Sequence, residues 1–523
     1  MPLSFPVFFV TLCLCVFVFN HQCLIELNSY GCPDLRLSTR FLQSVVQFTS
    51  ILGLSMRTTV LAIIAIISVP LLSLGQSTLS FPRVIQPADF STTGYAIVNP
   101  GSAAATVTFN LYGADGGNPQ ISTQSIRAGG QLAKLASELF PNPPGAGWVQ
   151  ATSGTAGLQA FWFGGNLTTF ADGAEAAASS GELVAPLIAP QSEINIANTG
   201  AADITVLLHL LDQNGFDLGF QPFPQRIPAK GFFKGDVAPL FFPIEDFSVA
   251  THMRIECRCA NASYAATIIA RDFIAGPSWA VANAVPASTA TTALNFPHVV
   301  EGIQGPANWR SVIGITNLST GSSNDVTIAF MSETGDAVKA LQRTLPPNGG
   351  VRATIRDLLG LTPTAPFQNG WLRVTSTSGL PLTGYIAYAE ATEGGVAVVP
   401  PQPEAQTNLL FEHIADLPPW LTGLALLNTN TRLANVEVFA LRPDGSLIGN
   451  SNFPLAGGAK IAKLLSELIP QSQSRTTDGG FVFVRSDLPL FGIELFFSRN
   501  LQILSNVAAG KILPGINYVP PSR

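Results

Sequence analysis

Hydrophobic and polar positions alternate with period two through much of the chain, as they do on half-buried strands. In Thr106-Val-Thr-Phe-Asn-Leu-Tyr112 the alternation puts Val107, Phe109 and Leu111 on one face. Val436-Glu-Val-Phe-Ala-Leu441 repeats the pattern far downstream, and each run is followed by an Asp-Gly pair, a strong hairpin signal. The spacing predicts antiparallel strands with Val436 and Val438 also facing a core.

These runs belong to a unit that occurs four times. A short strand ending in asparagine appears as Tyr95-Ala-Ile-Val-Asn99, Ile194-Asn-Ile-Ala-Asn198, Ile313-Gly-Ile-Thr-Asn317 and Leu424-Ala-Leu-Leu-Asn428, the asparagines lying 99, 119 and 111 positions apart. A turn begins 16, 16, 17 and 16 residues later, at Asp115-Gly116, Asn214-Gly215, Thr334-Gly335 and Asp444-Gly445. Next come Gly129-Gly130, Lys230-Gly231, Gly349-Gly350 and Gly457-Gly458. An apolar stripe follows: Leu132, Leu135, Ala136 and Leu139 in the first copy, Val351, Ile355, Leu358 and Leu359 in the third, and Ile461, Leu464, Leu465 and Leu468 in the fourth. The spacing predicts two turns of helix. In the second copy Gly235 and Pro239 predict only a loose turn between Phe232 and Phe242. An apolar strand then restarts at Gly147-Trp148, His252-Met253, Gly370-Trp371 and Gly480-Phe481.

Six or seven strands per copy with one small helix predict an all-β chain of four tandem antiparallel β-sandwiches, each with one short helix in a crossover. The expected boundaries are 78–180, 182–288, 290–403 and 405–517, with Ala174–Gly181, Pro286–Thr292 and Pro400–Thr407 as linkers. The Asn-ended strand, Asp-Gly turn, Gly-Gly and leucine-rich segment, and Gly-Trp strand resemble those of secreted bacterial proteins built from tandem Ig-like sandwich repeats. The resemblance covers residues 78–517 and is architectural, because the Cys…Trp…Cys pattern of a true immunoglobulin domain is absent.

Two apolar stretches precede the repeats. Met56-Arg57, the run from Val60 to Leu72 and Ser73-Leu74-Gly75 follow the order of a signal peptide, so residues 56–75 are expected to be cleaved near Gln76. A membrane helix is the alternative, and membrane contact is expected only through this N-terminal region if it is uncleaved. Residues 1–55 then fit either an upstream extension from a start codon placed too early, or an anchor at residues 5–19. The expected location is extracellular or the cell surface.

Composition narrows the function. Only 11% of residues are charged, the net charge is −6, and no Lys/Arg run occurs, so nucleic acid is not expected as a partner. His209, His252, His298 and His413 have no metal-ligand spacing, and no metal, cofactor or catalytic residue is assigned. Glu138 and Glu467 follow Lys134 and Lys463 by four residues and read as solvated ion pairs. Cys257 and Cys259 are a candidate disulfide or thiol pair, set by alignment at the positions of Thr152 and Gly154; a soft-metal role would lack a third ligand. Trp148 and Trp371 recur at one repeat position and read as core. Trp162, Trp279, Trp309 and Trp420 fall in less regular places; exposed, they are the candidate sugar-stacking aromatics, but burial in a sandwich is the expectation. The leading expectation is a non-enzymatic spacer, adhesive or structural repeat protein whose partners are other surface proteins or polysaccharide. A carbohydrate- or polymer-binding array stands second, and an enzyme with a site between repeats third.

Overall fold

The computed structural model describes residues 76–520, apart from 221–223, 245, 275, 290, 363–364, 475–478, 514–515, 517 and 519. Residues 1–75, with the expected signal peptide at 56–75 and the expected extension or anchor at 1–55, lie outside the described residues. Gly75–Arg523 forms one compact unit.

The first repeat sets the plan. Its strands are β1 (Ser77–Ile85), β2 (Thr93–Asn99), β3 (Ala105–Tyr112), β4 (Gln120–Ile126), β5 (Gly130–Leu135), β6 (Gly147–Ser153), β7 (Gln159–Gly165) and β8 (Ala171–Glu175), with helix α1 (Ala136–Leu139) between β5 and β6. They form two antiparallel four-stranded sheets, β1-β6-β3-β4 and β5-β2-β7-β8. Val107, Phe109 and Leu111 point into the space between them and are buried, as are Val436 and Val438 in the fourth repeat. The other repeats use the same pairings. In the fourth, one long strand, Phe481–Ser498, serves both sheets.

The apolar stripe after the glycine pair is mostly strand, not helix. Residues 130–135 pair along β2, and only the last four residues coil into α1. The same division recurs at Gly350–Thr354 with Ile355–Leu359, and at Lys460–Leu464 with Leu465–Leu468. Leu135 and Leu464 are therefore N-cap residues of their helices. The second repeat is no looser: Phe232–Asp236 is a strand and Val237–Leu240 a helix. Pro239 is tolerated there because the first-turn N–H groups of a helix have no intrahelical partner to lose. Glu138 and Glu467 also do more than pair with lysine. Each accepts the backbone N–H of the residue before its helix, Leu135 or Leu464, at 2.8 Å, and Glu138 holds Lys134 as well.

The repeated asparagine has a physical cause. Asn99, Asn198, Asn317 and Asn428 are all fully buried at the end of their strand. The Asn99 amide donates to the carbonyls of Ala103, Ile126 and Arg127, while its Oδ1 accepts from Gly101 N–H at 3.0 Å. Asn198 and Asn317 make the equivalent set, and Asn428 bonds Arg432 O, Leu455 O and the N–H of Asn430. One side chain thus satisfies backbone groups of two loops that leave the sheets where water cannot reach. An aspartate would turn a carboxylate toward carbonyls, and a leucine would leave them unpaired.

The four sandwiches close into a ring. The Asp115-Gly116 turn packs on Ala229, Lys230 and Gly231 of the second repeat, and the Asn214-Gly215 turn on Pro347, Asn348 and Gly349 of the third. Gly335 meets Gly458 of the fourth, and Gly445 of the fourth meets Gly129 of the first. The bonding rule is shared: Gly350 N–H donates to Gln213 O, Lys460 N–H to Glu333 O, and Gln131 N–H to Pro443 O. This register corrects the alignment of the glycine pairs. The left-handed residues are Gly129, Lys230, Asn348 and Gly458, with φ of 63°, 61°, 54° and 77°. Each core also continues into the next repeat: Ile269 and Val281 join the first, Val396 and Val398 the second, Ala425 and Ile493 the third, and Phe161 the fourth. The last strands, Ala171–Glu175, Trp279–Asn283, Val396–Val399 and Leu504–Ala508, each pack on the last strands of both neighbours. They form the hub.

Candidate functional site

The residues singled out in the sequence are found mostly at the seams. Trp162 is buried and Trp279 half-buried; the Arg83 guanidinium lies 5.0 Å from the ring centre of each. Arg83 is itself buried, donates to Thr93 Oγ1 at 2.9 Å, and joins the first repeat to the second. Trp420 is half-buried and packs on Phe163 of the first repeat and Phe496 of its own. Trp309 is half-buried against the third core. None of the four stands out as an exposed stacking platform.

Trp148 and Trp371 are buried, but between repeats. Their indole N–H groups donate to Lys230 O at 2.7 Å and Gly458 O at 3.1 Å, carbonyls of the next repeat's left-handed residue. The equivalent position holds His252 in the second repeat and Phe481 in the fourth, as the strand registers show. His252 is buried, and desolvation pulls its pKa down to about 3, so it sits neutral beside Thr251 Oγ1. Arg254, two residues on, reaches Asn348 Oδ1 across that seam at 2.7 Å.

Cys257 and Cys259 form a disulfide, with Cα atoms 5.2 Å apart because the strand Ala250–Cys257 ends there. Register places Cys257 one residue later than the sequence alignment did. Val206 faces Cys257 as Val107 faces Ser153, Val326 faces Ser376 and Val436 faces Ser486. The serines close the turn after their strands: Ser153 Oγ accepts from Thr155 N–H, Ser376 Oγ from Leu380 N–H and Ser486 Oγ from Leu488 N–H. The disulfide does covalently what a serine hydroxyl does in the other repeats.

The hub and the seam between the fourth and first repeats collect buried carboxyl groups. Asp172 accepts from Gly173 N–H, from Val281 N–H of the second repeat, and from Ser505 Oγ of the fourth. Burial raises its pKa well above the carboxylate range in spite of these donors. Glu412 is pushed up to about 8 by desolvation, with Glu175 nearby, and Glu494 rises well above its ordinary value by burial and by Glu412 and Asp416. Both Glu494 carboxyl oxygens lack a hydrogen-bond partner. Gln131 spans this seam, donating to Glu412 O and Gly480 O and accepting from Gly480 N–H at 2.9 Å. At the third–fourth seam the same repeat position holds Lys460, which faces His298 Nδ1 at 2.7 Å and also Asn369 Oδ1. Desolvation lowers Lys460 to about 7, and burial with the Lys460 charge holds His298 well below the imidazole range.

Among the described residues no group of three or more His, Cys, Asp or Glu is arranged to hold a metal ion. A small recess beside Ile355–Leu359 is lined by Ile328, Phe330, Leu341 and Leu372 with Lys339. The seam bonds, the asparagine plugs and the cyclic order were not visible in the sequence, although the spacing of the repeat units was. No family model matches the chain, and no curated protein is similar to it.

Proposed function

We propose that this is a non-enzymatic protein of the extracellular space or cell surface, acting as an adhesive or structural component. The observation that carries the reading is where the chemically capable side chains are used: Trp148, Trp371, His298, Arg83 and Arg254 join one repeat to the next. A ring supplies less reach than a linear array of four sandwiches, which favours the adhesive or structural role over the spacer role. The signal-like segment ahead of Gln76 and the Cys257–Cys259 cross-link both fit an oxidising compartment. Binding of purified, labelled protein to intact cells and isolated envelopes tests this. Saturable binding is expected, with no turnover of ester, glycoside, peptide or phosphate substrates. Turnover abolished by a single point substitution would overturn the reading.

One observation favours polysaccharide as the binding partner. The outer face of the β1-β6-β3-β4 sheet bears no charge, and its register aligns Thr78, Thr152, Thr108 and Thr123 in a row across four strands. In the adjoining row Ser80 and Gln150 are buried, Gln150 accepting from Lys230 Nζ of the second repeat at 3.1 Å, while Asn110 and Ile121 lie toward the open side. The threonine row together with Asn110 offers hydroxyl and amide groups to a neutral glycan. Sedimentation with insoluble neutral polysaccharides should retain the protein, and Thr152→Lys should release it.

A further inference from the structure

The four repeats expose four equivalent outer edges, and three of them carry features that block strand addition. In the second repeat the edge is broken into two pieces, Asp217–Phe220 and Gln225–Ile227. The third, Ala337–Leu345, carries Lys339 and Arg343. The fourth, Leu447–Leu455, contains Pro454 and has the Pro470–Ser474 turn packed on it. Charge, proline, interruption and cover are the usual means of keeping an open strand from pairing with another chain.

The first repeat has none of them. β4 reads Gln-Ile-Ser-Thr-Gln-Ser-Ile, without charge, glycine or proline, and pairs on one side only, with β3, in unbroken register. Ile121 is 60% exposed on its outer face. Its neighbours β3 and β6 also carry no charge.

We infer that β4 pairs antiparallel with β4 of a second copy of this chain, joining two four-stranded sheets into one of eight strands. The strand is compatible with itself. In the register that pairs its full length, Thr123 lies opposite Thr123, Ile121 opposite Ser125, Ser122 opposite Gln124, and Gln120 opposite Ile126. No like charges meet, and the unpaired backbone groups of each edge satisfy those of the other. The two-fold axis stands perpendicular to the sheet, so both uncharged outer faces lie on one side. Because the other edges are blocked, assembly stops at two copies. The inference concerns assembly and does not depend on the proposed function.

Sedimentation velocity and light scattering over a concentration series test it. A monomer–dimer equilibrium is expected for the wild type. Thr123→Lys sets two ammonium groups face to face and should raise the dimer dissociation constant at least about tenfold, with an unchanged far-ultraviolet spectrum. Thr344→Lys, on the third repeat's edge, should leave it unaltered. Thr123→Cys should give a dimer on non-reducing gels, since directly opposed Cβ atoms lie about 4.5–5.5 Å apart. A wild type that stays monomeric at every concentration, a dimer indifferent to Thr123→Lys, or growth into longer assemblies would each overturn the inference.

Discussion

Gln131 and Lys460 occupy the same position in the repeat, yet they build seams of opposite character. Gln131 joins the fourth repeat to the first with an uncharged amide that meets only backbone groups. Lys460 joins the third to the fourth with a buried ammonium beside His298. The third and fourth repeats are adjacent in sequence, whereas the fourth and first are held together without a linker. The difference shows that the position is defined by a docked backbone turn, not by side-chain chemistry. The seam with no linker is the one bridged by a side chain without charge.

The largest effect is expected from breaking that amide. Gln131→Ala would leave the Gly480 N–H and two carbonyls without partners in a buried seam, a cost of about 2–4 kcal/mol by denaturant unfolding. Loss of less than about 0.5 kcal/mol would mean that water replaces the amide and the seam is not dry.

Titration should separate the seams by sign. Glu412 ionises near 4.5 when unfolded and near 8 in the ring, so the folded state holds the extra proton and the closing seam loses stability as pH rises through that window. Lys460 has the reverse dependence: it falls from 10.5 to about 7, so the unfolded chain holds the extra proton and stability rises between those values. His298, also depressed, adds a loss as pH drops below about 6.5. Melting temperatures measured across pH should therefore flatten on opposite limbs in Glu412→Gln and Lys460→Met. At pH 7 the Lys460→Met variant itself should lose about 1–2 kcal/mol, because His298 Nδ1 and Asn369 Oδ1 are left without their partner. Parallel pH profiles for the two variants would refute the assignment of these groups to their seams.

The smallest effect should come from a turn away from both seams. Replacing Cys257 and Cys259 together by serine restores the hydroxyl found at Ser153, Ser376 and Ser486, and should cost no more than about 1–2 kcal/mol. Collapse of the fold in that variant would show that the cross-link does more than close a turn.

The sequence displayed the unit and concealed the assembly, for physical reasons. Alternation exposed β3 and its copies because each has one wet face. Residues 130–135 escaped that logic: they form an edge strand in which apolar Leu135 and Ala133 stand exposed, so the apolar positions mimic helical spacing. Asn99 and its counterparts were visible as markers, but their role depends on carbonyls up to 30 residues away. Cys257 was visible, and only strand register revealed that it stands where the other repeats keep serine. The tryptophans were conspicuous without any sign of whether they faced solvent, core or neighbour, because a seam between repeats buries apolar surface just as a core does.

The cyclic order also frees the molecule from its own beginning and end. Ser77 Oγ accepts from the N–H of Leu158, and Gly157, the residue before it, lies against Leu513 and Ile516 near the other terminus. The two ends of the folded body thus meet at one place. A short peptide joining them, with new termini opened in the stretch 286–292, would present the same succession of turns and partners to the folding chain.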